Sequence, residues 1–269
     1  MKIKWQGDLV DGLLRQSGDI SCHSQFTHGV NLKVANHLLF LGDDQKGCVP
    51  FGIHLSSNDF QHLNQLVNWR GSIKRTTTGL LIDGVKLTFE AGSTYQNRLN
   101  CFDLGRLQSM ATNTLVLGGY LKQTGLDFSP LMTELVFAKA NQTRETSLDF
   151  ITYYIGRGLG LTPAGDDFTI GLMAIESIHP FLPDDFRVIL GKALADKRTT
   201  DVSKSYLVSA SQGSFSSLVI DVIKGLLGRP EELAEAVLAL ADSGSTSGSD
   251  TLAGIYYGLQ HIQDETVER

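Results

Sequence analysis

The sequence predicts an α+β protein, with a β-rich N-terminal part followed by a mostly α-helical C-terminal part. Two observations support this division. Between about Gly18 and Phe89, short runs alternate apolar and polar residues, which is typical of half-buried strands. From about Thr146 onward, apolar residues instead recur at helical spacing. We therefore predict two domains, residues 1–145 as a β-rich region with some helix and residues 146–269 as a helical domain.

The strands are predicted from alternation and from turn residues. The segments are VNLKV at 30–34, HLLFLG at 37–42, VPFGIHL at 49–55 and the hairpin GLLIDGVKLTF at 79–89. A turn at Ala35 and Asn36 separates the first two, and Asp83 with Gly84 suits the positive φ of a tight hairpin turn. A helix near 57–67 is expected to begin with a Ser or Asn N-cap.

Helical spacing starts before the second domain, at 104–121 and 130–140. Within that domain, glycines and serines separate further predicted helices. They lie near 146–156, 167–178, 184–195, 203–212, 215–226, 230–240 and 250–260.

The composition predicts a soluble cytoplasmic protein. The net charge is −6, the sequence pI is about 5.6 and no basic block occurs, so nucleic acid and acidic membrane are not expected partners. Cys22, Cys48 and Cys101 are scattered, which fits a reducing compartment better than a disulfide framework. The sequence contains neither a signal peptide nor an apolar stretch of roughly 18 residues, so we expect no membrane segment.

The most informative stretch is GRGLGLTPAGDDFTIGLMA at 156–174, which places glycines, a proline and two adjacent aspartates before an apolar helix. Its element G-x-D-x-x-x-G occurs twice, as GDDFTIG at 165–171 and as GSDTLAG at 248–254. Asp167 thereby matches Asp250, and Gly171 matches Gly254. We predict two helix starts built alike, whose later glycines allow another backbone, such as the other helix, to pack closely.

Such helix starts suit a small anion, because the first turn has free N–H donors and a partial positive charge. Preceding glycines let several donors converge. Our hypothesis is that both loops face one shared cleft. The candidate catalytic carboxylates are Asp166, Asp167 and Asp250, and the candidate substrate-binding residues are Gly160, Thr162, Gly165, Ser203, Thr246, Ser247 and Gly248.

Two other interpretations of the acids stay open. Aspartate is a common N-cap, so TPAGDD is compatible with a simple capped helix start, although a cap needs only one carboxylate. Adjacent acids also suit Mg²⁺, which binds one or two carboxylates and several waters. Asp166, Asp167 and Asp250 would then be its ligands.

A third segment, TTDVSKSYLVSASQGSFS at 199–216, is dense in hydroxyl groups. Ser203 is its candidate site residue and a candidate N-cap, although helical hydroxyls often bond only to the backbone. The seven histidines form no HExxH or HxH pattern. No GxSxG elbow and no P-loop GK[ST] occurs, so a serine hydrolase and a P-loop NTPase both lack their signatures.

Three C-terminal segments together resemble a known family. GRGLGLTPAGDDFTIG, TTDVSKSYLVSASQG and STSGSDTLAG, in this order and at these separations, are similar to the AllH-type subunit of oxamate carbamoyltransferase. This family was long labelled a domain of unknown function. HGVNLKV, LLFLG and VPFGIHL resemble its start. The usual family pattern has a proline, a serine and a histidine where this chain carries Leu159, Ala164 and Ser245.

The resemblance implies a complex that interconverts oxalurate plus phosphate with oxamate plus carbamoyl phosphate in allantoin degradation, a part of purine catabolism. It implies other carbamoyltransferase subunits as partners, and a homo-oligomer is left open. In such a site the acids would orient an amine, accept its proton or hold a cation. Arg157 would neutralise phosphate or lie at the surface.

Two other classes of function also stay open. GDDFT and SDT weakly resemble the Asp/Thr metal motifs of ADP-ribosylglycohydrolases, which would imply a Mg-dependent hydrolase, but the β-rich N-terminal part argues against this. The chain would otherwise be a non-catalytic ligand-binding or scaffold subunit, whose loops complete a site on another chain.

Overall fold

The computed structural model describes residues 1–99, 107–121, 124–126 and 144–267. The chain divides into two compact units, Met1–Arg98 with Ser214–Ser217, and Leu99–Gly213 with Leu218–Arg269. Strands lie in the N-terminal part and helices dominate the remainder, so the predicted α+β class is confirmed. The domain boundary after residue 145 stays a prediction, and the helix predicted at 130–140 lies outside the described residues.

The first unit is built on one mixed sheet. Its strands are β1 Trp5–Gly7, β2 Ile20–Phe26, β3 Gly29–Val34, β4 His37–Asp43, β5 Gly52–Leu55, β6 Ile73–Thr76, β7 Gly79–Ile82, β8 Val85–Thr88 and β9 Thr94–Tyr95. In the described part of the chain their order is β8-β7-β6-β2-β3-β4-β5-β1-β9, and only the β4–β5 and β1–β9 pairs are parallel.

Two helices, α1 (Val10–Leu14) and α2 (Ser57–Leu66), belong to the same unit. Ser56 caps α2 by accepting a hydrogen bond from the Asp59 N–H, at 3.1 Å from Oγ, as the sequence predicted. Phe60 and Leu63 of α2 are buried in one hydrophobic core with apolar side chains of the central strands. The core joins residues that are far apart in sequence and stabilises the sheet.

The hairpin turn between β7 and β8 confirms the turn prediction. Asp83 has φ 46° and Gly84 has φ 87°, and positive φ at both central residues matches the right-handed twist of the two strands. Ala35, in the turn between β3 and β4, also has a positive φ of 52°.

The short segment Ser214–Ser217 completes the first unit. Asn97 donates from Nδ2 to the Phe215 carbonyl at 2.7 Å, and the Phe215 N–H donates to the Asn97 carbonyl at 2.8 Å. The Cys48 N–H donates to Ser217 Oγ at 2.9 Å. These bonds satisfy buried polar groups that lie far away in the sequence.

The second unit is helical. Its described helices are α3 Leu107–Tyr120, α4 Arg144–Tyr154, α5 Ala164–Ile178, α6 Phe186–Ala195, α7 Asp201–Ser211, α8 Ser217–Leu227, α9 Pro230–Ala241 and α10 Ser247–Val267. Every residue of α5 except Ser177 is buried, which makes α5 the most enclosed of these elements. Among the described helices, none is long and apolar enough to cross a membrane.

Candidate functional site

The two helices that carry the repeated glycine–aspartate element, α5 and α10, pack directly against each other. A Cβ added at Gly171 would lie 2.1 Å from the Thr251 carbonyl oxygen, and one at Gly254 would lie 2.0 Å from the Phe168 carbonyl oxygen. No real side chain fits at such distances, so the prediction that both glycines permit close backbone packing is confirmed. Further along, a Cβ at Gly258 would lie 3.0 Å from the Ile175 Cβ. Residues therefore face each other in the same order, and the two helices run parallel with adjacent starts.

The first glycine of each element has a packing role. A Cβ at Gly165 would lie 2.1 Å from the carbonyl oxygen of Tyr154, which ends α4. At Gly248, a Cβ would lie 1.8 Å from the carbonyl oxygen of Leu240, near the end of α9. Each helix start thus presses on the last turn of the preceding helix. Gly165 and Gly248 shape the site through their missing side chains.

Asp166 is fully buried, and its carboxylate is saturated with hydrogen bonds. Oδ1 accepts from the Gly156 N–H at 2.7 Å. Oδ2 accepts from the Ser203 hydroxyl at 2.6 Å and from the Thr199 hydroxyl. Burial raises the pKa of Asp166, and these three donors lower it. This carboxylate joins the start of the glycine loop to the start of α7.

Asp167, the next residue, has a carboxylate oxygen that is not hydrogen-bonded among the described residues. It is buried, and its Oδ2 accepts no hydrogen bond from any residue that the structure describes. Burial raises the pKa of Asp167 well above its ordinary value, and the negative charge of Asp250 adds to the effect. The Ser247 and Thr162 hydroxyls oppose this rise in pKa without overcoming it.

Within the described ranges, Asp250 has one carboxylate oxygen that is hydrogen-bonded and one that is not. Oδ1 accepts from the Gly125 N–H at 2.8 Å, whereas Oδ2 is buried without a partner among the described residues. Burial raises the pKa of Asp250, and the Gly125 N–H and the Thr246 hydroxyl lower it. A Cβ at Gly125 would lie 3.2 Å from Oδ2 of Asp250, so this glycine borders the open oxygen. No pattern in the sequence pointed to Gly125, because it contributes only a backbone N–H.

Three predicted hydroxyl residues lie beside these acids. Thr162 Oγ1 and Ser247 Oγ share a hydrogen bond of 2.7 Å, which links the glycine loop to the start of α10. Thr246 lies against Asp250. Ser203 instead belongs to the Asp166 network, and the proposed Ser203 N-cap is wrong. Thr200 caps α7, because its side chain accepts the Ser203 N–H.

The tip of the glycine loop is exposed. A Cβ built on Gly160 would meet nothing within 4 Å, and the substrate-binding role of Gly160 stays a prediction. Leu159 is 95% exposed. The Arg157 guanidinium lies over the Tyr153 ring, at 4.0 Å from the ring centroid.

The acids do not form a ligand set that would hold a metal by three protein groups. In the described ranges, no three His, Cys, Asp or Glu side chains come together in this way. Asp166 also has both oxygens engaged by donors. Only the open oxygens of Asp167 and Asp250 could contribute to a cation, and Mg²⁺ can use as few as one or two carboxylates.

The pair Asp167 and Asp250 has a definite chemical character. Burial, together with the charge of Asp250, favours the protonated form of Asp167. Tyr206 lies near, and desolvation raises its pKa to about 12 with a further contribution from Asp167. This site therefore offers acceptor oxygens and a carboxyl group, that of Asp167, that holds a proton more firmly than an ordinary aspartate.

The fold and the site define an α+β protein with a buried acidic pair at two matched helix starts. Residues 154–259 match the family described as oxamate carbamoyltransferase subunit AllH, and residues 3–109 match the AllH family N-terminal domain. The chain belongs to the AllH family of oxamate carbamoyltransferase subunits, as its resemblance predicted. No solved structure matches the chain.

Proposed function

We propose that this chain binds a small anionic substrate, oxamate or oxalurate, at the starts of α5 and α10 and works with other subunits to transfer a carbamoyl group. The observation that carries the proposal is the buried pair of Asp167 and Asp250, each with one open oxygen, in a chain of this family. Thr162, Thr246 and Ser247 surround the pair with hydroxyl groups that serve as donors or acceptors.

The reaction needs a group that takes a proton. In the direction of oxalurate formation, the amide nitrogen of oxamate attacks the carbonyl carbon of carbamoyl phosphate. A nitrogen–carbon bond forms, the bond from that carbon to the phosphate oxygen breaks, and phosphate leaves with the electron pair. The proton lost from nitrogen passes to the carboxylate pair and then to phosphate. A carboxyl whose pKa is raised well above its ordinary value, as burial does for Asp167, is suited to accept and return that proton.

The test is carbamoyl transfer from carbamoyl phosphate to oxamate by the chain together with the subunits that co-purify with it. We expect oxalurate formation to follow the chain, and Asp167→Asn to lower the rate by about 100-fold or more. Asp149→Asn, an exposed aspartate on α4, is the matched control and should leave the rate unchanged. Full activity of Asp167→Asn would instead indicate a scaffold subunit. No turnover by the folded complex would reject these substrates.

A further inference from the structure

Five backbone donors at the paired helix starts are already engaged. They are the N–H groups of Gly165, Asp166, Asp167, Gly248 and Asp250, which donate to carbonyl groups of the same unit. For example, Gly165 donates to the Arg157 carbonyl at 2.9 Å, and Asp250 donates to the Thr246 carbonyl at 2.8 Å. Two carboxylate oxygens accept no hydrogen bond from the described residues, Oδ2 of Asp167 and Oδ2 of Asp250, and these aspartates are 5% and 0% exposed. A buried acceptor without a donor is costly, so two of them together point to a ligand that brings donors.

The negative charge at the site also favours a ligand group that donates hydrogen bonds over an anionic one. Among the described residues, the titratable groups that act on or respond to the charge of Asp167 are Asp250, Asp166 and Tyr206, and none of them is a cation. In the same part of the chain, no lysine or arginine forms a salt bridge with Asp167 or Asp250. A phosphate or carboxylate placed against this pair would add like charge in a desolvated place.

We propose that Asp167 and Asp250 form an amide-recognition pair, which accepts the N–H donors of the primary amide or carbamoyl group of the substrate and excludes its anionic end. This inference rests on the proposed function for the identity of the substrate. It adds which end of that substrate enters the helix starts and which atoms distinguish it.

A primary amide matches the pair in number and kind of groups. Its NH₂ group supplies two donors in one plane, one for each open carboxylate oxygen. Its carbonyl is an acceptor for a hydroxyl of Thr162 or Ser247. Because ionised acceptors make the stronger hydrogen bonds, the loss of either N–H would be felt strongly.

The experiment is calorimetric titration of the full-length chain with oxamate and two analogues that both lack its N–H donors. Oxalate replaces the NH₂ of oxamate by an oxygen, keeps the size and adds a negative charge. N,N-dimethyloxamate keeps the charge and the carbonyl but replaces both donors by methyl groups. We expect oxamate to bind at least about 100-fold more tightly than either analogue, since a site built for N–H donors strongly rejects ligands that lack them.

Two variants assign the discrimination to the pair. Asp167→Asn and Asp250→Asn each place an NH₂ group where an acceptor was needed. Each is expected to reduce the preference for oxamate over oxalate to below about 10-fold, whereas Asp149→Asn keeps it. A substitution that only perturbs folding would weaken all ligands together and leave the ratio unchanged. The comparison of the three ligands on the wild-type chain needs no variant at all.

Three results would overturn the inference. They are binding of oxalate or inorganic phosphate as tight as that of oxamate, absence of oxamate binding by the folded chain, and binding of Mg²⁺ alone that Asp250→Asn abolishes. Binding and turnover are separate readouts, so failure of the proposed function is recognised independently. A chain that binds oxamate selectively but supports no carbamoyl transfer in its complex would keep the amide pair and reject the reaction.

Discussion

The two matched helix starts, at α5 and at α10, have the same local arrangement, but α5 uses two aspartates where α10 uses one. Both begin with a glycine that presses on the end of the preceding helix, and both leave one buried aspartate oxygen open. They differ between those two positions, where α5 has Asp166 and α10 has Ser249. At α5, Asp166 accepts the hydrogen bond from the neighbouring backbone. At α10, Oδ1 of Asp250 accepts the equivalent bond.

This difference explains the adjacent acids of the glycine loop. At the start of α5, one aspartate binds neighbouring segments and the next has an open oxygen. At the start of α10, one aspartate does both. Asp166 accepts three hydrogen bonds, so the Oδ2 atom of Asp167 is not needed to bind these segments. Asp250 accepts from Gly125 with one oxygen and leaves the other open. Adjacent carboxylates in a sequence are therefore compatible with separate tasks, only one of which concerns a ligand.

The largest loss of stability is expected from removing Asp166, which has no acidic counterpart at the start of α10. Asp166→Ala is expected to lower the free energy of unfolding by about 4 kcal/mol, because it leaves the Gly156 N–H and two hydroxyls without their buried charged acceptor. Urea denaturation followed by circular dichroism measures this. Asp149→Ala on the exposed face of α4 should change stability by no more than about 0.5 kcal/mol. An equally small loss for Asp166→Ala would show that this network contributes little.

The contact between the two helices is the next target. Gly171→Ala is expected to destabilise the protein by about 2 kcal/mol, because the added methyl group must displace the Thr251 carbonyl. The control is Gly191→Ala in α6, where an added Cβ meets nothing within 4 Å. That change should raise stability by about 0.5–1 kcal/mol through helix propensity. If both substitutions stabilise in thermal or urea unfolding, the close packing of α5 on α10 is wrong.

The smallest expected effect is a pH-dependent difference between the two open aspartates. Burial raises the pKa of Asp167, so the native state retains its proton more firmly than the unfolded chain. The stabilisation from this proton is complete below the unfolded pKa and is lost as pH rises through the folded pKa. Asp167→Asn should therefore be more stable than the wild type at pH 8, on the order of 1 kcal/mol, with no gain in acid.

Asp250→Asn sharpens this last prediction. Its gain at pH 8 should be smaller, because Gly125 would then donate to a neutral oxygen in place of a charged one. Urea unfolding of both variants from about pH 4 to pH 8 provides the measurement. A pH-independent difference from wild type for Asp167→Asn would mean that Asp167 does not retain a proton in the native state.

Local signals in the sequence predicted several elements correctly. Asp83 and Gly84 defined their hairpin turn, because the required φ values restrict the residues that fit. The strands β1 and β9 were not predicted, since two or three residues cannot display a period. The α5 helix was expected from Asp167 but begins at Ala164, because Pro163 precedes its first turn and the acids lie within that turn.

For the site, the sequence indicated which residues lie together but not which carboxylate oxygens are hydrogen-bonded. The repeated element aligned Asp167 with Asp250 and predicted the packing of Gly171 and Gly254. The saturation of Asp166 depends on Thr199 and Ser203, which come near only after α7 has packed. Whether a carboxylate oxygen is open or engaged is a tertiary property, and no local pattern encodes it.

The returning segment Ser214–Ser217 has a consequence for biosynthesis. Asn97 and Cys48 leave the ribosome long before Phe215 and Ser217, with which they form hydrogen bonds. A nascent chain that ends shortly after Arg98 therefore lacks the Phe215 carbonyl that accepts from Asn97 and the Ser217 hydroxyl that accepts from Cys48. The β-rich unit can be completed only after most of the helical unit has been synthesised. Gene truncations or fusions placed at residue 98 should yield an unfinished protein, whereas a chain that retains its own Ser214–Ser217 can mature.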